Sequence, residues 1–366
     1  MGGFVFGVQE MKRLSWPVAA GVLLGVLAPL LTYAGNPGNM GVCVACFLRD
    51  TTGALGLHQA AAVQYIRPEI LGLVLGGLLG SMLVARNFRP GATSSQLVKF
   101  FLGLFAMLGA LVFLGCPWRV FLRLGGGDMT ALAGFAGLFA GASVGYFAKT
   151  RGGCGLREDF MENRAYAVLP PLFVLALGAL YFFATPEHAP FATAPGGGPG
   201  AMHAPFLLSL AAGVGIGVLF QKSQFCTMGA LANVWHKDFS MLWGVVALVL
   251  CATLTNLLLG QYHFGMEGQP IAHTQHVYSF VAMTLSGLCF SLAGGCPGKH
   301  LARFGAGNAD SGIFVLGMMA GGAISHNFAL AASPKGVGAN TDVALLAGFV
   351  FCLAVMLATR DKTRAL

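Results

Sequence analysis

An internal repeat is the feature that most constrains the fold of this chain. Residues 115–128 read GCPWRVFLRLGGGD and residues 295–308 read GCPGKHLARFGAGN, the same pattern 180 positions apart. Six of the fourteen aligned positions are identical. The identical positions that are not glycine are Cys116/Cys296, Pro117/Pro297 and Arg123/Arg303. Cys226 follows Cys46 by the same 180 positions. The sequence therefore predicts a duplication in which each half carries two cysteines in register.

The composition indicates a membrane protein. Hydrophobic residues make up 56% of the chain and charged residues only 9%, compared with roughly 25% charged residues in soluble domains. Ten apolar stretches, five in each half, approach the length of about 20 residues that a helix needs to cross a bilayer: 17–34, 70–85, 97–115, 129–148, 167–184, 205–220, 241–260, 277–294, 311–331 and 341–358. We therefore expect an all-α, polytopic integral membrane protein surrounded by a lipid bilayer.

The distribution of Lys and Arg predicts the orientation of the chain. With a cytoplasmic N-terminus, 16 of the 21 Lys and Arg residues fall in inside loops and tails, and 5 fall outside. The positive-inside rule therefore predicts that both termini are cytoplasmic. The net charge of +8 reflects this bias rather than nucleic-acid binding. A signal peptide ending near Tyr33 is an alternative explanation of Lys12 and Arg13, but it would leave the two halves unequal.

Five spans in each half mean that the second half enters the membrane from the opposite side. The repeats are then inverted, an arrangement typical of secondary transporters whose substrate site lies near the midplane of the bilayer. The predicted domains are a first membrane repeat at 1–193, a Gly/Pro-rich connecting segment at 194–204 and a second membrane repeat at 205–366. Residues 194–201 carry no charge and are too rich in Gly and Pro for a helix.

Short connections that contain cysteine interrupt the spans. Cys116 and Cys296 each end an apolar run, and each is followed by proline. Because proline fits the first turn of a helix, and the glycines that follow allow a sharp turn, we expect a short re-entrant helix with its cysteine at or near the N-terminal end. The segments around Cys46 and Cys226 are polar interruptions of the same kind. Irregular backbone at membrane depth packs within protein or lines a wet cavity, so the four cysteines are predicted to line one path.

Cysteine at these positions suits a solute that contains sulfur or selenium. A thiol is polarisable and a weak hydrogen-bond donor and acceptor, so it binds such a solute without holding it tightly. The predicted substrate path consists of Cys46, Cys116, Cys226 and Cys296. The candidates for attracting an anion to this path are Arg123, Arg303, Lys222 and Lys299. The alternatives are that the thiols are small apolar packing residues and that the arginines satisfy carbonyl groups at helix ends.

The remaining residues indicate no metal, no cofactor and no enzyme active site. Cys43 and Cys46 form a C-x2-C pair, but two further zinc ligands are not obvious. Neither a P-loop, nor a G-x-S-x-G element, nor a dinucleotide fingerprint occurs in a credible context. Cys154 is interpreted as a cytoplasmic loop thiol without a role. Structural positions within spans are expected for Cys251, Cys289 and Cys352, and a solvated outer loop is expected for His263, His273 and His276.

Several motifs resemble the YeeE/YedE family of membrane proteins. They are the Gly-Cys-Pro…Arg…Gly-x-Gly element of both halves, QKSQFCT at 221–227, GPGAMHAP at 198–205, EGQP at 267–270 and SPKGVG at 333–338. The resemblance covers nearly the whole chain and is closer to the YedE branch, whose members are named as selenium transporters. It implies an hourglass-shaped, all-helical protein of the inner membrane, with nine or ten spans and short re-entrant helices.

The resemblance also implies roles for the cysteines. In thiosulfate-transporting relatives, cysteines at the constriction are thought to pass thiosulfate along through S–H···S hydrogen bonds. Cys116, Cys296 and one or both of Cys46 and Cys226 match these positions. A long insertion around 43–65 replaces the shorter first cysteine loop of the family, so Cys43 and Cys46 are both candidates. The repeat offset favours Cys46.

The leading prediction is a transporter or facilitator, not an enzyme, that carries a small sulfur or selenium species inward. A cytoplasmic selenium- or sulfur-transfer protein is a candidate partner. One alternative is a membrane thiol enzyme or chalcogen-transfer partner with a covalent persulfide-like or selenosulfide intermediate. The other alternative is a scaffold for a selenium-dependent enzyme system.

Overall fold

The chain folds into a bundle of α-helices with almost no sheet. The computed structural model describes residues 2–156, 159–183 and 198–360, with side chains from Ser15 onward. The α-helices in these ranges are α1 (Gly2–Tyr33), α2 (Val44–Ala54), α3 (Pro68–Leu79), α4 (Gln96–Phe113), α5 (Pro117–Gly125), α6 (Ala131–Thr150), α7 (Leu169–Phe183), α8 (Phe206–Ser223), α9 (Thr227–Asn233), α10 (Ser240–Leu258), α11 (His276–Ala293), α12 (Pro297–Gly305), α13 (Ala309–Asn327) and α14 (Thr341–Ala358). Strands β1 (Gly91–Ala92) and β2 (Met161–Glu162) pair antiparallel.

Nine helical segments in the described part of the chain are long and apolar enough to cross a membrane. This confirms the multi-pass membrane character that the composition predicts. The predicted stretch at 311–331 forms helix α13, but it is not among the nine. Asp310, Ser325 and His326 make α13 more polar than the other spans, and most of its length is buried between neighbouring helices.

Helices of the first half pack along helices of the second half through faces lined with glycine. Helix α1 lies along α10 and α3 along α8, while α4 lies along α13 and α6 along α11. A Cβ atom at Gly21 would lie 1.8 Å from the carbonyl oxygen of Gly244, and one at Gly72 would lie 2.4 Å from that of Leu210. Only glycine allows such close approach of two helix backbones. The 54 glycines of the chain therefore include positions that the helix packing requires.

The equivalent helices α4 and α11 run antiparallel to each other. Gly109 packs against the backbone of Ala282, and one turn further along α11 the Ser286 hydroxyl donates a 3.0 Å hydrogen bond to the carbonyl of Ala106. Residues nearer the C-terminus of α11 therefore contact residues nearer the N-terminus of α4. Helices α4 and α11, whose bounds lie 180 residues apart, therefore point in opposite directions where they meet.

The last helix of each half departs from the repeat. Helix α7 packs against α3, whereas its counterpart α14 packs against α4 and α11. Helix α7 is largely exposed: only 11% of the most apolar part of the helical segment that contains it is buried within the described structure. The correspondence between the halves is therefore closest in the central helices and is lost in these peripheral ones.

The connecting segment packs on the loops of the first half. The amide of Gly200 donates to the carbonyl of Ala62 at 2.7 Å, and the Arg67 guanidinium donates to the carbonyl of Pro199 at 2.6 Å. These bonds hold residues 198–204 against the segment that precedes α3. Predicted features that lie outside the described residues are positions 194–197 of the connecting segment and the basic residues Arg157, Lys362 and Arg364.

Candidate functional site

Four short helices begin directly after a cysteine. Cys43 precedes α2, Cys116 precedes α5, Cys226 precedes α9 and Cys296 precedes α12, each with the extended backbone of a helix N-cap residue. All four side chains are buried. Cys46 lies in the first turn of α2, so Cys43 is the residue whose place at the helix start corresponds to that of Cys226.

Three of the cysteines form a first thiol group, which consists of Cys43, Cys46 and Cys116. The sulfur of Cys43 lies 2.9 Å from that of Cys46 and 3.8 Å from that of Cys116. The Cys46 thiol donates to the carbonyl of Leu114 at 3.7 Å. Because Cys43 contacts both other sulfurs, it is the central member of the group.

Two further cysteines form a second thiol group, which consists of Cys226 and Cys296. The backbone amide of Cys296 donates to the sulfur of Cys226 at 3.4 Å. The two halves therefore each bring together the cysteine that starts one short helix and the cysteine that starts the next. The structure thus groups the four predicted path cysteines in two pairs, with Cys43 added to the first.

The rings of Trp118, Phe220 and Phe225 form an aromatic layer beside the short helices. The Trp118 ring, in the first turn of α5, contacts Gly298 in the first turn of α12 so closely that a Cβ atom there would lie 1.9 Å from it. Trp118 also packs against Phe220, whose ring centroid is 4.8 Å away, and Phe220 packs against Phe225 at 5.2 Å. The buried indole N–H of Trp118 has no hydrogen-bond partner in the described part of the chain.

The predicted anion-attracting residue Arg123 is neutralised by a carboxylate. Its Nε lies 2.7 Å from an oxygen of Asp128, and its guanidinium also donates to Thr130 and to the carbonyl of Phe113. Both members of the ion pair are buried. Arg123 therefore fixes the turn that follows α5, and its charge is offset within the protein.

Arg119, one turn earlier on α5, is held only by backbone carbonyls and a thiol. It is fully buried and donates to the carbonyls of Asn39 at 3.2 Å and Ile271 at 3.0 Å, and also to that of Leu114. Its Nη1 lies 3.8 Å from the sulfur of Cys46. A positive charge therefore borders the first thiol group.

The other predicted basic residues lie on helices α8 and α12 of the second half. Lys299 and Arg303 on α12 are half-buried and form no ion pair in the described structure. Lys222 lies near the end of α8, where its ammonium group is 5.7 Å from the centre of the Trp16 ring. Lys299 follows Arg119 by 180 positions, so the repeat places a cation at the same point of α5 and α12.

The remaining cysteines and histidines do not form a metal site among the described residues. Cys289 and Cys352 lie 3.4 Å apart between α11 and α14, away from both thiol groups. His273 is buried, contrary to the solvated position expected for it, and donates to the carbonyl of Val112 at 2.7 Å. Burial lowers the pKa of His273 below 6.5, and the positive charge of Arg123 acts in the same direction.

No protein-family model matches this chain, and no curated protein is similar to it.

Two residues of the site, Arg119 and Trp118, are not predicted from the sequence as path residues, and Cys43 is predicted only as an alternative to Cys46. Arg119 is one of the five basic residues predicted to lie outside, and its repeat partner Lys299 is the signal that could have marked it. Trp118 sits between the cysteine and the arginine of the repeated motif, but a single tryptophan in an apolar chain gives no indication of its contacts. Cys43 differs from Cys46 only in standing at the helix start, which the repeat offset does not reveal.

Proposed function

We propose that this protein is a transporter or facilitator of the inner membrane that takes up a small sulfur or selenium species. The observation that carries the proposal is the grouping of five buried thiols, in two clusters, at the starts of four short helices, two helices from each half. Substrate sites of transporters built from inverted repeats lie where the two repeats meet, and these cysteines would supply equivalent contacts from each half.

The proposed arrangement is an inverted repeat with short re-entrant helices. The antiparallel packing of the equivalent helices α4 and α11 supports it. So does the packing of α1 against α10 and of α3 against α8, in which each helix of one half contacts a helix of the other half. With both termini in the cytoplasm, the first thiol group would be reached from outside and the second from inside. The aromatic layer around Trp118 would then lie near the midplane.

Thiols at helix N-termini suit a relay. The unpaired backbone N–H groups at a helix start and its partial positive charge favour a bound anion. A neutral thiol adds only a weak hydrogen bond to sulfur or selenium, so the solute leaves each contact readily. A solute that passed from Cys116 to Cys296 would leave the thiol and the N–H groups at the start of α5 and meet the equivalent groups at the start of α12.

We propose, on the basis of the cysteine motifs, that the chain is a member of the YeeE/YedE family in its YedE branch. Cys116 and Cys296 stand at the starts of α5 and α12, as these motifs require. The insertion that contains Cys43 and Cys46 forms helix α2 and contributes two thiols where the family pattern has a shorter loop. On the cytoplasmic side, a selenium- or sulfur-transfer protein is the proposed recipient of the solute.

The close packing of the first thiol group favours a second candidate function, covalent chalcogen transfer. An adduct on Cys116 would have the sulfur of Cys43 at 3.8 Å, and Cys43 in turn has Cys46 at 2.9 Å. Thiolate attack on such an adduct would release the chalcogen and leave a disulfide, which needs a reducing thiol to restore it. The scaffold alternative has no comparable support in the structure.

Uptake by purified protein in liposomes tests the proposal. Radiolabelled thiosulfate and selenite are supplied outside vesicles that contain the reduced wild-type protein, or the variants Cys116→Ser and Cys296→Ser. We expect uptake by the wild type without an added thiol, and a loss of roughly tenfold or more in each variant, equivalent to ~1.4 kcal/mol. The matched controls Cys289→Ser and Cys352→Ser should transport normally. Uptake that requires added glutathione, with a stoichiometric adduct on Cys116, would instead establish the transfer function.

A further inference from the structure

Arg119 differs from every other buried arginine of the described structure. Four arginines are buried, and three of them have a carboxylate partner. These ion pairs are Arg49–Asp50, Arg67–Asp50 and Arg123–Asp128. Arg119 has no carboxylate partner among the described residues, although it is as deeply buried as the others.

The carbonyl groups around Arg119 only partly offset its charge. They come from three separate segments: the loop before α2, the turn before α5 and the loop before α11. Carbonyl dipoles satisfy the guanidinium hydrogens, but they leave a full positive charge in a buried position. Burying an unpaired charge costs several kcal/mol in real proteins. The fold supplies Asp128 to Arg123, one turn away, whereas no acid of the described residues pairs with Arg119, whose charge therefore lacks a counter-ion there.

The surroundings of Arg119 specify what kind of anion fits. Its Nη1 is 3.8 Å from the sulfur of Cys46, so a ligand there would meet a cation and thiols together. The guanidinium recognises paired oxygen atoms through its planar fork of donors. A small anion with oxygens at one end and a soft sulfur or selenium atom at the other satisfies both.

The second thiol group repeats this arrangement. Lys299 occupies the position of Arg119 in the other half, is half-buried and forms no ion pair in the described part of the chain. It lies on α12 three residues after Cys296, as Arg119 lies on α5 three residues after Cys116. Both thiol groups therefore have a cation two residues after the proline of the neighbouring short helix.

We infer that Arg119 is an anion-binding residue of the first thiol group, and that a small chalcogen oxyanion binds by replacing the carbonyls of Pro270 and Ile271 on its guanidinium. These two carbonyls share Nη2, at 3.4 and 3.0 Å, and both belong to the loop that precedes α11. Their exchange for the anion frees this loop from α5 and opens the first thiol group on that side. The identity of the solute rests on the proposed function, whereas anion binding at Arg119 does not require transport.

Thermal unfolding of the purified protein in detergent measures this binding without any uptake. Thiosulfate and selenite are compared with chloride at equal ionic strength, for the wild type, Arg119→Gln and Arg119→Lys. A ligand that binds only the folded state raises its unfolding midpoint, here by roughly 3–6 °C at a concentration of 100 times Kd. We expect this shift in the wild type, a reduced shift in Arg119→Lys, and none in Arg119→Gln.

Arg123→Gln is the matched comparison, because it removes a buried arginine of the same helix whose charge is already paired. Its midpoint should fall under all conditions, while the increment caused by thiosulfate or selenite persists. The inference would be overturned if thiosulfate or selenite raised the unfolding midpoint of Arg119→Gln as much as that of the wild type. It would also be overturned if neither anion raised the midpoint of the wild type. Failure of uptake with an intact increment would overturn the transport proposal and leave anion binding by Arg119 in place.

Discussion

The indole ring of Trp118 lies directly against the backbone of Gly298, the residue that occupies the equivalent position 180 residues later in the other half. One repeat thus provides the largest side chain at this position and the other provides none. The two short helices that begin after Cys116 and Cys296 meet through this contact.

The contact between Trp118 and Gly298 makes this glycine intolerant of a side chain. In Gly298→Ala the new Cβ would lie 1.9 Å from the Trp118 ring, so the ring or α12 has to shift. Overpacking of this kind costs ~1–3 kcal/mol, and we expect a lower midpoint of thermal unfolding. Gly178→Ala is the control, since a Cβ there has nothing within 4 Å. Equal stability of the two variants would contradict the close contact.

Substitution of Cys43 should impair uptake more than substitution of Cys46. The sulfur of Cys43 contacts both other members of the first thiol group, whereas Cys46 contacts only Cys43 among them. In the liposome assay we expect Cys43→Ser to reduce uptake by about tenfold, or ~1.4 kcal/mol, and Cys46→Ser to reduce it less. The opposite order would mean that the repeat offset, which pairs Cys46 with Cys226, identifies the functional residue.

The sequence predicts the starts of α5 and α12 correctly because their determinants are local. Proline fits the first helical turn and cannot continue the preceding helix, so Cys116 and Cys296 are placed by their immediate neighbours. The ninth predicted stretch does form a helix, α13, but polar residues within it make it less apolar than the nine candidate spans. The different positions of α7 and α14 depend on which helices they contact, and the repeat carries no information on that.

The roles of the arginines could not be read from the repeat. Arg123 and Arg303 occupy the same position of the repeat. Arg123 pairs with Asp128, but the equivalent residue of the second half is Asn308, which carries no charge. Arg119 is set apart only by the absence of a nearby acid in the folded structure. Such pairing is a property of tertiary contacts, because residues far apart in sequence surround the guanidinium.

The proposed topology predicts which surface loops a membrane-impermeant thiol reagent reaches. Thr274 and Lys237 are both exposed, in the loops before α11 and before α10. With cytoplasmic termini, Thr274→Cys should be labelled in intact cells, and Lys237→Cys only after the membrane is permeabilised. Equal exposure of the two sites makes them matched controls for each other. Labelling of Lys237→Cys alone in intact cells would invert the orientation derived from the basic residues.

Acidification should destabilise the protein through His273. Because burial lowers the pKa of His273 below 6.5, the folded state prefers the neutral ring, whose Nε2 donates to Val112 and whose Nδ1 accepts from the amide of Gln275. Its contribution to stability is therefore complete above pH 6.5 and is lost as the pH falls through the folded-state pKa, at up to ~1.4 kcal/mol per pH unit.

We expect the unfolding midpoint of the wild type to drop over this range and that of His273→Gln to drop less, because glutamine keeps a donor but does not titrate. His263→Gln changes an exposed histidine of the same loop and should follow the wild type. If His273→Gln also follows the wild type, another group governs the acid sensitivity.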